Sequence, residues 1–556
     1  MVSAAAMRSA IVLSITGKTT RAVVTDRVDG EPRLVATLSR VGRSVSGVLE
    51  RLEQTLGRRA YDRGRLIDAR GVVGDGADGW FVVGFPSSVP TLALVVLGNE
   101  GDIGDLAMAA VRSTPIRLVR SVFDETTSPT AFAHELSQHE PDLLMLAGVG
   151  SEPLWRSLLA ALSCAISDRW RPRLGIVVAP EPVQQVVAAA LGEQMDLIGV
   201  DPAGHAPADV VRALSTELRA RAAERLREEL GDDVATDPVD RLTALERAAA
   251  FLVRRTDQRL VMVDLEQGTT VLWARPEGMA TVYRADRDFG QDALGLAALV
   301  GAPVARWLPW SSSEDESLDW LANRALCPHP AMLGARDRLL AAAFVRASIH
   351  DLLTDLERPI VQDDITLVAL GPWFATLSPS LAVLCALDGF EPVPANGLVS
   401  IALDEADLLA AGGAIAGRSP GYAASVLERD ALLPLAHVIV LAGDGIEGAV
   451  AVRGELRIGE VVQRFSVPWG SIHVLPCAPG TLAELSLEPE AGVRIGKLEP
   501  GVALQFAGDA ALGWAQIGIV IDARGRPLRL ASEPTARIRQ VRSWLEDLGI
   551  PWGGSA

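Results

Sequence analysis

The chain has 556 residues, with 52 Lys+Arg against 70 Asp+Glu, a formal charge of −18. That length predicts several domains, and 49% hydrophobic with 22% charged residues excludes general disorder. A field of that sign repels phosphate backbones, so no nucleic-acid partner is expected.

Only Lys18 and Lys497 are lysines; the other basic residues are arginines, a compositional bias that also covers ordinary helix faces. Cys164, Cys327, Cys385 and Cys477 lie far apart with no C-x-x-C, so neither a disulfide framework nor a thiolate zinc site is indicated. Cys327-Pro328-His329-Pro330 has two prolines and no second ligand pair, and reads as a loop. The longest uncharged run, 365–387, could span a bilayer by length. Gly371-Pro372 and Ser378-Pro379 break it into strand, turn and buried helix. The expectation is a soluble cytoplasmic protein without a membrane span. The oligomeric state is not legible.

In chain order, 10–15 is an apolar strand, 16–18 a polar turn, and 19–25 an alternating β-branched strand. A third strand at 33–38 follows the turn Asp29-Gly30-Glu31-Pro32, and Val48, Leu49, Leu52 and Leu56 share one face of a helix at 46–58. More β pattern follows at 79–84 and 91–97. From about 115 to 200 the rhythm becomes βαβα, which predicts an inserted parallel sheet with helices on its faces. Helices fit 207–230 and 239–254. Strand–turn–strand returns at 260–274, followed by a strand at 279–284 and helices from 291 to 356. The acidic run 312–316 reads as a helix start. Trp307 and Trp310 read as packing residues or part of a partner surface. From 437 to 530 short strands alternate with Gly-rich turns, a β-sandwich or barrel pattern, and a helix closes the chain at 536–548. The strand–polar turn–strand motif therefore occurs twice, which predicts two related lobes. The domain expectation is a first lobe at 1–235 carrying the insertion, a second at 236–430, and a β-rich module at 431–556.

Gly17-Lys18-Thr19 is not a P-loop. The first glycine of G-x-x-x-x-G-K-[ST] would fall at Val12, and the chain continues as strand instead of helix. Taken together, several stretches resemble another family. They are Pro141-Asp142-Leu143-Leu144-Met145-Leu146-Ala147-Gly148; 174–187; 264–270; Asp288-Phe289-Gly290; Leu321-Ala322-Asn323-Arg324-Ala325-Leu326 with Pro328-His329; Leu427-Glu428-Arg429-Asp430-Ala431-Leu432-Leu433; Pro468-Trp469-Gly470-Ser471; and Ile521-Asp522-Ala523-Arg524-Gly525-Arg526-Pro527-Leu528. In order and spacing they resemble the glutamate mutase accessory-protein family (GlmL/MutL type), within the actin/Hsp70/sugar-kinase ATPase superfamily. The resemblance implies a duplicated, two-lobed actin-like (ribonuclease H-like) α/β core. It also implies ATP with magnesium between the lobes, and a protein partner that is a cobalamin-dependent mutase.

The nucleotide loops depart from that family. A first loop like D-I-G-S-T-x-T-K is here Ser14-Ile15-Thr16-Gly17-Lys18-Thr19-Thr20-Arg21, so Ser14 replaces the carboxylate and Thr16 the glycine. A second loop like D-V-G-G-x-T-T-D is Asp264-Leu265-Glu266-Gln267-Gly268-Thr269-Thr270-Val271. The adenosine turn is Ala369-Leu370-Gly371-Pro372, followed by Trp373. Glu266 places a carboxylate where amides should face phosphate, a repulsion of about 4 kcal/mol at 4 Å and an effective dielectric of 20. Pro372 removes a donor.

By resemblance, nucleotide contacts fall on Ser14, Thr16, Gly17, Lys18, Thr19, Asp264, Gly268, Thr269, Thr270 and Gly371, with Asp264 the candidate metal ligand. The loops predict no catalytic residues and no cofactor, or at most weak ATP/Mg binding, in a non-catalytic accessory protein. The alternatives are an active ATP-hydrolysing mutase reactivase and an actin-like scaffold of another assembly.

Overall fold

The computed structural model describes residues 7–16, 19–57, 59, 61–62, 65–66, 77–86, 89–98, 102–166, 170–231, 238–266, 268–278, 280–285, 293–326, 334–354 and 365–553. Two compact units are present, Met1–Val83 with Ala244–Ala556, and Gly84–Thr243.

The first unit contains a duplicated motif. Ala10–Thr16, Thr19–Val28 and Glu31–Val41 form an antiparallel run, and Gly79–Gly84 lies on the far side of Ala10–Thr16. The turn at Asp29-Gly30 has φ of 52° and 86°, the pair of positive values a tight two-residue hairpin requires. Ser44 caps the helix Val45–Leu56, accepting from Gly47 N at 3.1 Å, a contact worth roughly 1 kcal/mol. That helix buries Val48, Leu49 and Leu52, three of the four residues expected on its inner face; Leu56 is half-buried.

The second copy repeats the order. Leu260–Asp264, Thr269–Ala274 and Thr281–Ala285 pair antiparallel. Leu367–Leu370 joins parallel to Leu260–Asp264, and Leu398–Leu403 lies parallel beyond it. Numbered along this repeat, the strands stand 3-2-1-4-5. The core is thus a two-lobed, actin-like α/β fold, read from its own strand order. The helix Ala335–Thr354 runs through the second lobe, buried from Leu339 to Ile349 on every side, as its nearly uninterrupted apolar sequence requires. Trp307 is 2% exposed in the same core, so it packs instead of facing a partner.

The β-rich C-terminal part is joined to this sheet. Leu433–Gly443 pairs with Leu398–Leu403 on one side and with Gly518–Asp522 on the other. A separate four-stranded sheet, ordered Val461–Pro468, Val450–Ile458, Glu484–Pro489, Leu504–Phe506, packs its apolar face with Ile439, Leu441 and Ile521.

One ion network ties these strands to the helices. Arg524 makes two bonds to Asp522 (2.9 and 3.0 Å) and one to Asp388 (2.7 Å). Arg526 bonds Asp522 at 2.5 Å, and Arg346 lies 3.3 Å from Asp388. All five side chains are at most 2% exposed. Burial opposes charge on Asp522, but Arg524 and Arg526 overcome it and hold the carboxyl well below the usual range.

The second unit is a five-stranded parallel sheet ordered Asp196–Val200, Leu174–Val178, Leu143–Gly148, Thr91–Leu97, Arg117–Phe123. Its three inner strands are almost wholly apolar because both faces are covered. Asp102–Arg112 and Pro207–Leu230 cover one face. Pro129–His139, Glu152–Ala165 and Glu181–Leu191 cover the other. This unit is wider than the 115–200 insertion expected from sequence. The strand Thr91–Leu97, read there as part of the leading β segment, is an inner strand of this sheet, and an apolar seven-residue run reads the same in either place.

Among the described residues no helix is long and apolar enough to cross a membrane. The run 365–387 is the strand Leu367–Leu370, a short turn of 3-10 helix, and most of the buried helix Pro379–Phe390. Cys385 and Cys477 are buried thiols and Cys164 is exposed. Burial pushes the Cys385 thiol up to about 12, which makes it unreactive. Cys327, the Pro328-His329 pair and Asp288-Phe289-Gly290 lie outside the described residues.

Candidate functional site

The two hairpins end at the loops on which the family resemblance leads one to expect nucleotide contacts. In the first, Thr16 pairs with Thr19 at the turn. Ser14 and Thr16 are 1% and 4% exposed. In the second, Asp264 pairs with Thr270, and Gly268 opens the return strand with φ 86°. Asp264, Thr269 and Thr270 are buried. Gly371, expected from the resemblance in an adenosine turn, donates its N–H to Val263 O at 2.8 Å. A Cβ built on Gly371 would stand 3.0 Å from both Asp264 Oδ1 and Val263 O, so glycine there permits close packing of strand on strand.

Two hydroxyls of the first hairpin, those of Ser14 and Thr16, are committed across the fold. Ser14 Oγ donates to Asp407 Oδ2 at 2.5 Å. Thr16 Oγ1 donates to Glu266 Oε2 at 2.9 Å. Arg21 Nη1 approaches the same Asp407 oxygen at 3.5 Å. On the second hairpin, Thr269 shares a 2.6 Å hydroxyl bond with Ser348 of the long buried helix.

Asp407 reaches this position because of the turn before the helix Leu408–Ala416. Asp404 accepts from the N–H groups of Leu408 (2.7 Å) and Leu409 (2.8 Å), neutralising the helix start. Its own N–H donates to Leu370 O, next to Gly371. With that end satisfied, Asp407 adopts φ 65° and carries its carboxylate, 1% exposed, to Ser14 and Arg21.

The structure therefore brings together Ser14, Thr16, Asp264 and Gly371 with Glu266. Thr19, Gly268, Thr269 and Thr270 stand on the flanking strands. Gly17, Lys18 and Gln267 lie outside the described residues. Sequence reasoning missed Asp407, Asp404, Arg21 and Ser348. The one available signal was Asp404-Glu405-Ala406-Asp407 ahead of an apolar stretch, a helix-start pattern that says nothing of a partner 393 residues away. Trp373 is 8% exposed and meets Phe374 edge-on at 5.7 Å in the core. Among the described residues no group of three or more His, Cys, Asp or Glu is placed to hold a metal ion.

No family model matches the chain, and no curated protein matches it either. Solved structures similar to it include a Ppx/GppA family member from Aquifex aeolicus, at 8% identity over 66% of each chain with a TM-score of 0.18. An exopolyphosphatase from Cytophaga hutchinsonii matches at 10% identity over 66% of each chain, TM-score 0.18. A carbohydrate kinase from Novosphingobium aromaticivorans matches at 10% identity over 78% of this chain and 94% of its own, TM-score 0.28. The chain thus spans about two thirds of the length of the two phosphatase-type structures it matches. These superpositions are loose, and the fold assignment stands on the duplicated strand order.

Proposed function

We propose that this chain is a non-catalytic, actin-like accessory protein whose interlobe site is filled by its own carboxylates. Its partner, by the family resemblance, is a cobalamin-dependent mutase. The observation that carries this reading is the pair of bonds Ser14–Asp407 and Thr16–Glu266. Hydroxyls placed to donate to a phosphate donate to acids of the same chain. The donor set fits a triphosphate poorly, because two carboxylates already face the positions its oxygens would take, and phosphoryl transfer depends on charge neutralisation there. Titration of the full chain with Mg–ATP, followed by phosphate release, tests the reading. Millimolar or weaker binding without turnover is expected. Turnover abolished by Asp264→Ala would overturn it.

A second reading is favoured by the other hairpin. Asp264, Gly268, Thr269 and Thr270 keep the residue types that would meet a metal-bound phosphate, and an active reactivase would use them, with Asp264 as the metal ligand. Affinity purification from the native cell identifies the partner: a mutase supports the accessory role, and components of another assembly support a scaffold.

A further inference from the structure

We infer that Asp407 is a built-in competitor for this site. Its carboxylate stands in for a ligand anion on Ser14 and Arg21, and an anionic ligand enters only by displacing it. The inference rests on the reading above and names how the site is kept closed.

Three observations converge on Asp407. The first is geometric. Its carboxylate is met by a hydroxyl from the phosphate-loop position of the first lobe (2.5 Å) and by a guanidinium from the adjoining strand (3.5 Å). An oxyanion bound at that hairpin would use these same two donors. The second is conformational. Asp407 holds a left-handed backbone, φ 65°, uncommon for a non-glycine residue, and it does not cap its own helix. Asp404 performs that task. The left-handed backbone at 407, set by the turn that Asp404 closes, carries the carboxylate to Ser14. The third is electrostatic. Glu266, on the second hairpin, takes Thr16 in the same manner at 2.9 Å. The Ser14 and Thr16 hydroxyls are thus both held by carboxylates from the second lobe, which an incoming phosphate would have to replace.

Displacement requires the acids to swing away, not the fold to unravel. The second lobe grips the first sheet elsewhere. Arg33 makes a bidentate pair with Asp430 at 2.7–3.0 Å, and Leu34 N donates to the same carboxylate at 2.7 Å. Tyr422 Oη bonds Thr25 at 3.1 Å. Those contacts leave the helix Pro420–Arg429 anchored when the Asp407 contact breaks. The ligand class is an anion that can use a hydroxyl and a guanidinium together, such as a phosphate, pyrophosphate or nucleotide polyphosphate.

The test uses the full chain and inorganic pyrophosphate and Mg–ATP as probes, read by calorimetry and by the shift in melting temperature. Asp407→Asn keeps the shape and removes the charge. It should bind pyrophosphate or Mg–ATP at least tenfold more tightly than the unmodified chain, and Glu266→Gln should show a smaller gain. Thr16→Val, which loosens the same contact without removing charge, should show none. Asp407→Asn that folds with an unchanged melting curve and gains no affinity overturns the inference while leaving the accessory reading intact. A gain in Thr16→Val equal to that in Asp407→Asn also overturns it, since loosening alone would then suffice. Tight binding by the unmodified chain defeats the accessory reading itself. Should Asp407→Asn fail to fold, Glu266→Gln decides by the same criterion.

Discussion

The interlobe site and the Asp388–Arg524–Asp522 network are both buried clusters of acids in one compact unit, and they are balanced in opposite ways. In the network, two carboxylates are met by three guanidiniums, all at most 2% exposed. In the site, Glu266 and Asp407 accept from hydroxyls, Asp404 accepts from backbone N–H groups, and Arg21 lies 3.5 Å from Asp407. The ion pairs of the network lock strands and helices together. In the site, hydroxyl and backbone N–H donors take up positions that guanidiniums hold in the network. On the reading proposed above, the first set of carboxylates maintains the fold and the second governs what enters the site.

The sharpest way to break this comparison is Asp522→Ala. It strands Arg526 in the core and leaves Arg524 bonded to Asp388, and removing one partner of a buried pair typically costs about 3–5 kcal/mol. A denaturation midpoint corresponding to less than about 1 kcal/mol of loss would mean the network is not the fold's clasp. The pH dependence follows in sign. The Asp522 carboxyl is held below its unfolded value by Arg524 and Arg526. Its contribution is therefore complete above the ordinary carboxylate range and disappears as pH falls through the folded value.

Asp407→Ala comes second. It removes the acceptor of Ser14 and the partner of Arg21, and hydrogen bonds to charged groups contribute about 1.5–3 kcal/mol. Urea unfolding of the variant should fall in that interval. A loss as large as that of Asp522→Ala would erase the proposed distinction between the two clusters.

What was legible in the sequence follows the same division. Both hairpins could be read because apolar strands end at polar turns, and Leu260–Asp264 and Thr269–Ala274 have the limits that pattern predicts. Pro207–Leu230 was legible, its first-turn proline marking the start. The insertion's first strand was not assignable, because a strand buried on both faces carries no alternation to say which sheet owns it. The site's partners were not legible at all. Asp407 and Ser14 meet only through the fold, and no local rule pairs residues of opposite lobes. The stretch Ile521–Leu528 was noticed as a motif, but its purpose emerged only with Asp388 and Arg346 placed beside it.

Thr16→Val tests a third and smaller step. The isosteric change removes one donor to Glu266 and should cost about 1 kcal/mol. A cost near zero would mean Glu266 finds an equivalent donor, and the second arm of the closed site would carry no weight.

The smallest effect concerns His437, on the strand Leu433–Gly443, where it pairs with Ile519 of the strand that ends in Asp522. Burial holds its imidazole below the usual histidine value, with a contact to Gly513 opposing, and Nδ1 lies 3.0 Å from Ser400 Oγ. The folded chain thus keeps this ring neutral while the unfolded chain takes up a proton first. Stability from His437 is complete above about pH 6.5 and declines as pH falls toward the folded value. Melting temperature should therefore drop in two separate steps on acidification, a shallow one below 6.5 and a steep one in the carboxylate range. His437→Gln should flatten only the first. If the variant instead removed the steep step, the strand joining the C-terminal sheet to the second lobe would be governed by His437, and the guanidinium–carboxylate network beside it would be a passenger.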